Sequence, residues 1–180
     1  LEFVRLTGLR MNETLIRWEN VNWFSKQIVT IGKGGKKVIT PITPEVRAIL
    51  VQVQGHHPEW VFTYISQCTT RSRDESKTRI KGQRYPITQS GAKSQWKRLK
   101  KSANLTDFRF HDFRHDTATR LLRETGSLKI VQRALNHTSI MTTARYAHIS
   151  DDDLASALSK TAKTRKQSRK NHRKDGDMAA

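Results

Sequence analysis

The stretch Phe110–Ile149 reads FHDFRHDTATRLLRETGSLKIVQRALNHTSIMTTARYAHI. Phe113, Ala118, Leu121 and Leu122 recur at helical spacing, which predicts a helix over 112–123 with one core-facing side. Gly126 and Ser127 break that pattern, and further helices are expected over 128–135 and 140–146. The polar residues of the same stretch carry chemistry. His111 and Arg114 stand three residues apart, so they share a helix face and reach one small target together. His137 follows, and Tyr146 comes nine residues after it. A His and an Arg on a helix are ordinarily solvated surface groups, so the pair means little without support from the rest of the chain.

Upstream, Ser90 is expected to cap a helix to about Ser102, with Trp96 and Leu99 on its inner side. Residues 69–84, TTRSRDESKTRIKGQR, hold six Lys and Arg, two acids and almost nothing apolar, and so read as a surface loop or extended hairpin. Trp60–Tyr64 reads as a short buried strand, with a returning strand over 84–87. A helix is expected over Pro44–Val53, with Thr43 as cap and proline in the first helical position. Between Ile16 and Ile42 the segments IRWENVNW, KQIVTI and KVITPI are rich in Val, Ile and Thr and read as strands. The GKGGK turn joins the last two, its Gly32, Gly34 and Gly35 supplying positive φ angles. LEFVRL at the start reads as a helix entered part-way, broken at Gly8, which marks the chain as a piece of a longer protein. Beyond the opening stretch, Ser150 caps an expected helix over Asp151–Ser159, and 161–180 reads as a basic disordered tail. The fold class is α+β: a mainly helical body, residues 1–160, with a small antiparallel sheet at one edge.

At 180 residues the chain can bury a core without a disulfide or metal staple. A single Cys, Cys68, closes no intrachain bridge and fits a reducing cytoplasm. No apolar run approaches membrane-spanning length. The charge is loud: 34 Lys and Arg against 16 Asp and Glu, +18 net. Removing the seven cations and two acids of 161–180 leaves 27 against 14, so the body itself carries +13. A polyanion is the expected partner, and nucleic acid is favoured over a membrane surface because no basic amphipathic helix stands out. GKGGKK lacks the spaced first glycine and the Ser or Thr of a phosphate-cradling P-loop. His56, His57 and Glu59 lack a partner pair at ligand spacing, so no metal is expected.

HDFRHDTATRLL and LNHTSIMTTARYAH together resemble the tyrosine recombinases, or phage integrases, whose catalytic domains carry His-x-x-Arg, a downstream His or Trp, and a nucleophilic Tyr. TGLRMNE is similar to that family's first arginine motif, and IGKGGKKVITPI to its catalytic-lysine hairpin. The resemblance spans about Leu6–Ile149 and departs at Asn136, where the family usually has Gly; Asn also tolerates left-handed φ, so the turn should survive.

The resemblance implies that Tyr146 attacks a DNA phosphodiester, forming a 3′-phosphotyrosyl link and freeing a 5′-hydroxyl, with no metal, ATP or other cofactor. A phenol of pKa about 10 is under a hundredth ionised near neutral pH, so a base must take its proton. His111 is the candidate base and His137 a donor to a phosphate oxygen, with the two roles exchangeable. Arg10 and Arg114 would clamp the nonbridging oxygens with planar guanidinium forks. Lys33 is the candidate acid for the departing 5′-oxygen, with Lys36 and Lys37 its rivals on the same turn. Glu13 is either the family's acidic positioning residue or an ordinary helix-start Glu. Lys36, Lys37, Arg71, Arg73 and Arg84 are candidate DNA contacts. The implied process is integration or excision by a phage or prophage integrase in a bacterial cytoplasm, on double-stranded attachment sites. A homotetrameric synapse, sometimes with DNA-bending proteins, is the implied assembly. Two other readings compete: a type IB topoisomerase-like relaxation activity, and a noncatalytic basic DNA-binding module for which charge alone suffices.

Overall fold

The computed structural model describes residues 1–74, 77–147, 155, 158 and 159, the side chain of Lys33 excepted. Leu1–Tyr146 forms one unit and Ala147–Ala180 a second. In the second, the described Ala155, Leu158 and Ser159 are helical, and the expected Asp151–Ser159 helix and basic tail otherwise lie outside the described residues. No helix among the described residues is long and apolar enough to cross a membrane.

The first unit opens with α1 (Glu2–Thr7), which ends at Gly8 in the left-handed region, φ 62°. That glycine has a second reason to be there. A Cβ on it would meet Leu135 Cδ2 at 3.1 Å and Thr117 Cγ2 at 3.2 Å, so both backbone angle and packing demand the bare residue. A 3-10 turn, Met11–Thr14, follows. The sheet is β1 (Val21–Asn22), β2 (Gln27–Ile31) and β3 (Lys37–Pro41), antiparallel in that order. Ile28 pairs with Thr40 and Thr30 with Val38; these four point to one buried face, as period-2 alternation requires. The expected first strand is largely absent: residues 18–20 form a 3-10 turn instead, with Asn20 accepting the Arg17 N–H. Side-chain capping of this kind draws a polar Asx-containing segment away from the ladder. In the hairpin turn Gly34 and Gly35 have φ of 75° and 73°, but Gly32 is extended at φ −92°. Gly32 is required for space: a Cβ there would sit 2.7 Å from Val38 Cγ2 and 3.0 Å from Glu13 Oε1.

Helix α2 (Pro44–Val53) matches its expected bounds, with the Thr43 hydroxyl accepting the Val46 N–H. It buries Val46 and Leu50, one turn apart, into a core built from Phe3, Leu9, Ile16, Val21, Ile28, Val38, Ile42 and Val61. The expected Trp60–Tyr64 strand is shifted and shorter: β4 is Thr63–Ile65, with Tyr64 and Ile65 exposed. It pairs with β5 (Arg84–Pro86), and a Thr70–Arg79 bridge makes the intervening polar segment an extended hairpin. Helix α3 (Gln89–Ser102) is capped by Thr88 rather than Ser90, the Thr88 hydroxyl accepting the Gly91 N–H. Trp96 packs among Phe108, Phe110 and Phe113, whereas Leu99 is exposed rather than inward. Helices α4 (Asp112–Thr125), α5 (Leu128–Ala134) and α6 (Ile140–Ala144) complete the unit. Ala118, Val131 and Leu135 form a smaller core between them, with Leu121, Leu122 and Tyr146 against it.

Candidate active site

The site begins with a turn that holds one arginine by its own neighbour. Arg10 precedes the Met11–Thr14 turn, and Glu13 reaches back to it twice: Arg10 N donates to Oε2 and Arg10 Nη1 to Oε1, both at 2.8 Å. Glu13 is only 2% exposed, so its carboxylate is spent on this one partner and fixes where the guanidinium points. The backbone bond makes Glu13 the closing residue of the turn's capping box, and the side-chain bond sets it against the Arg10 guanidinium. The same carboxylate lies against Gly32, where the lysine hairpin begins.

Arg114 is the other guanidinium, and it is 2% exposed. From the first turn of α4 its Nη1 donates to the Gly8 carbonyl at 2.8 Å, and its Nη2 donates to the Leu135 carbonyl. Both acceptors are helix ends, whose last carbonyls have no partner within the helix. One side chain therefore ties the end of α1, just before Arg10, to the end of α5, just before His137. Its Nε is buried with no hydrogen-bond partner among the described residues. Burial and the nearby Arg10 pull its pKa down to about 10, against the pull of Glu13 and Tyr146.

His137 follows Asn136, which adopts φ 50°; the left-handed turn expected of this Asn is made. Its Nδ1 lies 2.9 Å from the hydroxyl of Thr143, which is fully buried on α6. Burial, then Arg114, Arg10, Arg145 and His111, push the His137 pKa down to about 4, so the ring is neutral at physiological pH. In the tautomer whose Nδ1 accepts from Thr143, Nε2 carries the remaining proton and is a hydrogen-bond donor. The same loop is latched to the hairpin: Lys36 Nζ donates to Thr138 Oγ1 at 3.0 Å, and Ile39 N to Asn136 Oδ1 at 3.4 Å.

Tyr146 stands just past α6, half-buried against the small core. Burial raises its pKa, while Arg114, Arg145 and Arg10 oppose that rise. Its hydroxyl lies 2.8 Å from His115 Nδ1, and the two rings are 5.6 Å apart. The expected base, His111, makes no hydrogen bond to Tyr146 among the described residues. It stands at the start of α4, its ring edge-on to His115 at 4.9 Å, and burial with His115 and Arg114 lowers its pKa. His115 and Thr143 are the two residues that sequence reasoning missed. His115 had a signal, being four residues after His111 on one helix; Thr143 had none beyond its place between His137 and Tyr146.

Arg10, Arg114, His111, His137 and Tyr146 thus share one field, drawn from ends of the chain more than a hundred residues apart. Lys33 lies in the Lys33–Gly35 turn of the adjoining hairpin, and Lys37 opens β3, exposed. Arg71 and Arg73 are exposed on the β4–β5 hairpin, while Arg84 donates to Thr63 Oγ1 within it at 3.3 Å. The described residues contain no group of His, Cys, Asp or Glu able to hold a metal ion.

The family model described as the phage integrase family matches residues 1–153. The chain is 28% identical over 156 residues to the tyrosine recombinase XerC of Staphylococcus aureus strain USA300, covering 86% of this chain and 49% of that protein. It therefore spans about half the length of the curated relatives it matches. Among solved structures it resembles the XerH site-specific recombinase bound to its difH substrate, with TM-score 0.57 and 23% identity, covering 88% of this chain and 44% of that one. It also resembles the catalytic domain of bacteriophage HP1 integrase, with TM-score 0.54 and 18% identity, covering 88% and 77%.

Proposed function

The chain belongs to the phage integrase family, and from that premise we propose that it is the catalytic part of a site-specific recombinase that cuts and rejoins double-stranded DNA through Tyr146. The observation that carries the reading is the convergence of two guanidinium groups, Arg10 and Arg114, on the field around one tyrosine hydroxyl. Phosphoryl transfer without a metal needs positive charge where the pentavalent transition state builds negative charge, and two fixed guanidinium forks supply it. Arg10, aimed by Glu13, holds one nonbridging oxygen. Arg114 holds another with the donors its two carbonyls leave over. His137, neutral and donating from Nε2, bonds a phosphate oxygen, and Lys33 protonates the departing 5′-oxygen as the hairpin closes on the duplex. Lys36, Lys37, Arg71, Arg73 and Arg84 meet flanking phosphates. The 3′-phosphotyrosyl bond conserves the energy of the broken one, so rejoining needs no nucleotide.

The process is integration or excision of mobile or phage DNA in a bacterial cytoplasm, with four protomers in the synapse. The family membership and the charge of the body support this. The test is covalent trapping: a pool of nicked duplexes of randomised sequence is incubated with the protein, and denaturant-resistant adducts are recovered and sequenced. Adducts that vanish in Tyr146→Phe support the reading. Equal adduct from that variant overturns it, and relaxation of supercoiled plasmid without strand exchange would make the protein a topoisomerase.

A further inference from the structure

We propose that His115 is the general base that takes the proton of Tyr146 as its oxygen attacks phosphorus. This rests on the reading of Tyr146 as nucleophile and assigns its activation to a residue outside the His-x-x-Arg pair. The observation is direct contact. His115 Nδ1 is 2.8 Å from the Tyr146 hydroxyl, within the reach a base needs. His137 is engaged elsewhere, its Nδ1 on the Thr143 hydroxyl. His111 meets His115 ring edge against ring at an interplanar angle of 88° and makes no hydrogen bond to Tyr146 among the described residues. Of the three histidines, His115 is the one in hydrogen-bond contact with the Tyr146 oxygen among the described residues.

The need for a base is built into the place. Tyr146 is half-buried against Ala118, Val131 and Leu135, and burial outweighs the attraction of Arg114, Arg145 and Arg10, so the phenol holds its proton more tightly than in water. His115 acts with its own proton on Nε2, leaving Nδ1 as acceptor. In the step, the Tyr146 O–H bond breaks and its proton passes to Nδ1. The oxygen–phosphorus bond forms as the bond from phosphorus to the 5′-oxygen breaks, and that oxygen leaves with a proton from Lys33. Rejoining returns each proton along the same route. The charged and titratable groups facing the pair are His111 and Arg114 on α4, Arg145 at the end of α6, and Arg10 from the first arginine turn.

Two arms test it. Without DNA, nitrogen NMR of histidine-labelled protein reads the His115 ring directly; removing the partner hydroxyl in Tyr146→Phe should shift its Nδ1 resonance, and an unchanged resonance overturns the pairing. With the nicked-duplex pool, His115→Ala should form adduct about 10²- to 10⁴-fold more slowly at neutral pH. That deficit should narrow as pH rises toward ionisation of the phenol, and added imidazole should restore part of the rate. His115→Asn, which offers a hydrogen-bond partner but no base, should stay slow. A wild-type rate in either variant, or a deficit indifferent to pH and imidazole, overturns the base role; so does finding narrowing and rescue in His111→Ala instead. Absence of adduct from the wild-type protein, or equal adduct from Tyr146→Phe, brings down the nucleophile reading beneath it, whatever the NMR arm shows about the pair.

Discussion

The two halves of the Leu1–Tyr146 unit are built to different standards of packing. Arg10, Glu13 and the hairpin stand on a core of ten buried side chains that links α1, the sheet and α2. Tyr146, His115 and His137 stand beside three, Ala118, Val131 and Leu135, with Tyr146 itself packed against them. A fully buried aliphatic side chain stabilises by roughly 1.5–3 kcal/mol, so the second half rests on far less apolar burial. The side that carries Arg10 thus rests on the larger core, and the side that carries Tyr146 on the smaller one. Arg114 joins them, one hydrogen bond into each half.

Removing that joint should have the largest effect. Arg114→Leu leaves the Gly8 and Leu135 carbonyls buried without their partner, at about 1–3 kcal/mol each, so thermal unfolding should move down by several degrees as well as cleavage being lost. The loss should fall unevenly: amides of α5 and α6 should exchange with solvent far faster, while those of β2, β3 and α2 change little. Uniform loss of protection would show that the two cores unfold as one and would erase the contrast. Arg114→Lys keeps a charge but not the fork, and should recover part of the stability with little of the cleavage.

The next test strikes the larger-core half at its tightest point. In Gly32→Ala the new methyl meets Val38 Cγ2 at 2.7 Å and Glu13 Oε1 at 3.0 Å. Overpacking of this order costs about 1–3 kcal/mol, and the group that can yield is the Glu13 carboxylate. Arg10 would then lose its aim. Cleavage should drop by more than the shift in melting temperature explains, and a drop in proportion to stability would mean that Glu13 is a structural prop only.

A smaller effect is expected in the smaller-core half at Asn136, where φ is 50° and Oδ1 accepts from Ile39 N of the hairpin. Asn136→Gly should change stability by under about 1 kcal/mol, because relief of the left-handed angle offsets the lost latch. Asn136→Ala suffers both losses and should be the worse of the two. Equal melting temperatures for the pair would mean that the angle is not the reason for Asn.

Much of this was legible in the sequence because it is local. Caps and period fixed α2 at Thr43 and Pro44, and the left-handed turn at Asn136 followed from that residue's short polar side chain. The failures were cases where composition hid a competing partner, near or far in the chain. IRWENVNW has the composition of a strand, yet Asn20 caps the Arg17 backbone and only Val21 and Asn22 pair. Gly32 was expected for its backbone angle and is required by Glu13 and Val38, which approach from elsewhere in the chain. At the site, Arg10, Arg114, His137 and Tyr146 could be named from spacing and resemblance. Which histidine reaches the phenol could not, since His111 and His115 share a helix face and only the placement of Tyr146 beyond α6 distinguishes them.

The smallest effect expected is also the one that separates the halves without a change of shape. His137 has its pKa pushed down to about 4 in the folded protein, against about 6.5 when unfolded. Above about pH 6.5 the ring is neutral in both states and costs nothing. As pH falls from there the unfolded chain takes up the proton first, so stability falls with it, and the loss is complete once the pH passes below about 4. His137→Gln keeps an amide that can face Thr143 but does not titrate. Between pH 7 and 4.5 the melting temperature of the wild type should fall by about one or two degrees more than that of the variant, because the ring's partial exposure screens the effect. Some slope will remain in the variant, since His111 is depressed for the same reasons and has the same sign. Parallel curves would mean that neither burial nor the neighbouring cations disfavour the charged ring. A slope that flattens part-way in Arg10→Gln would show the share of the effect that Arg10 carries.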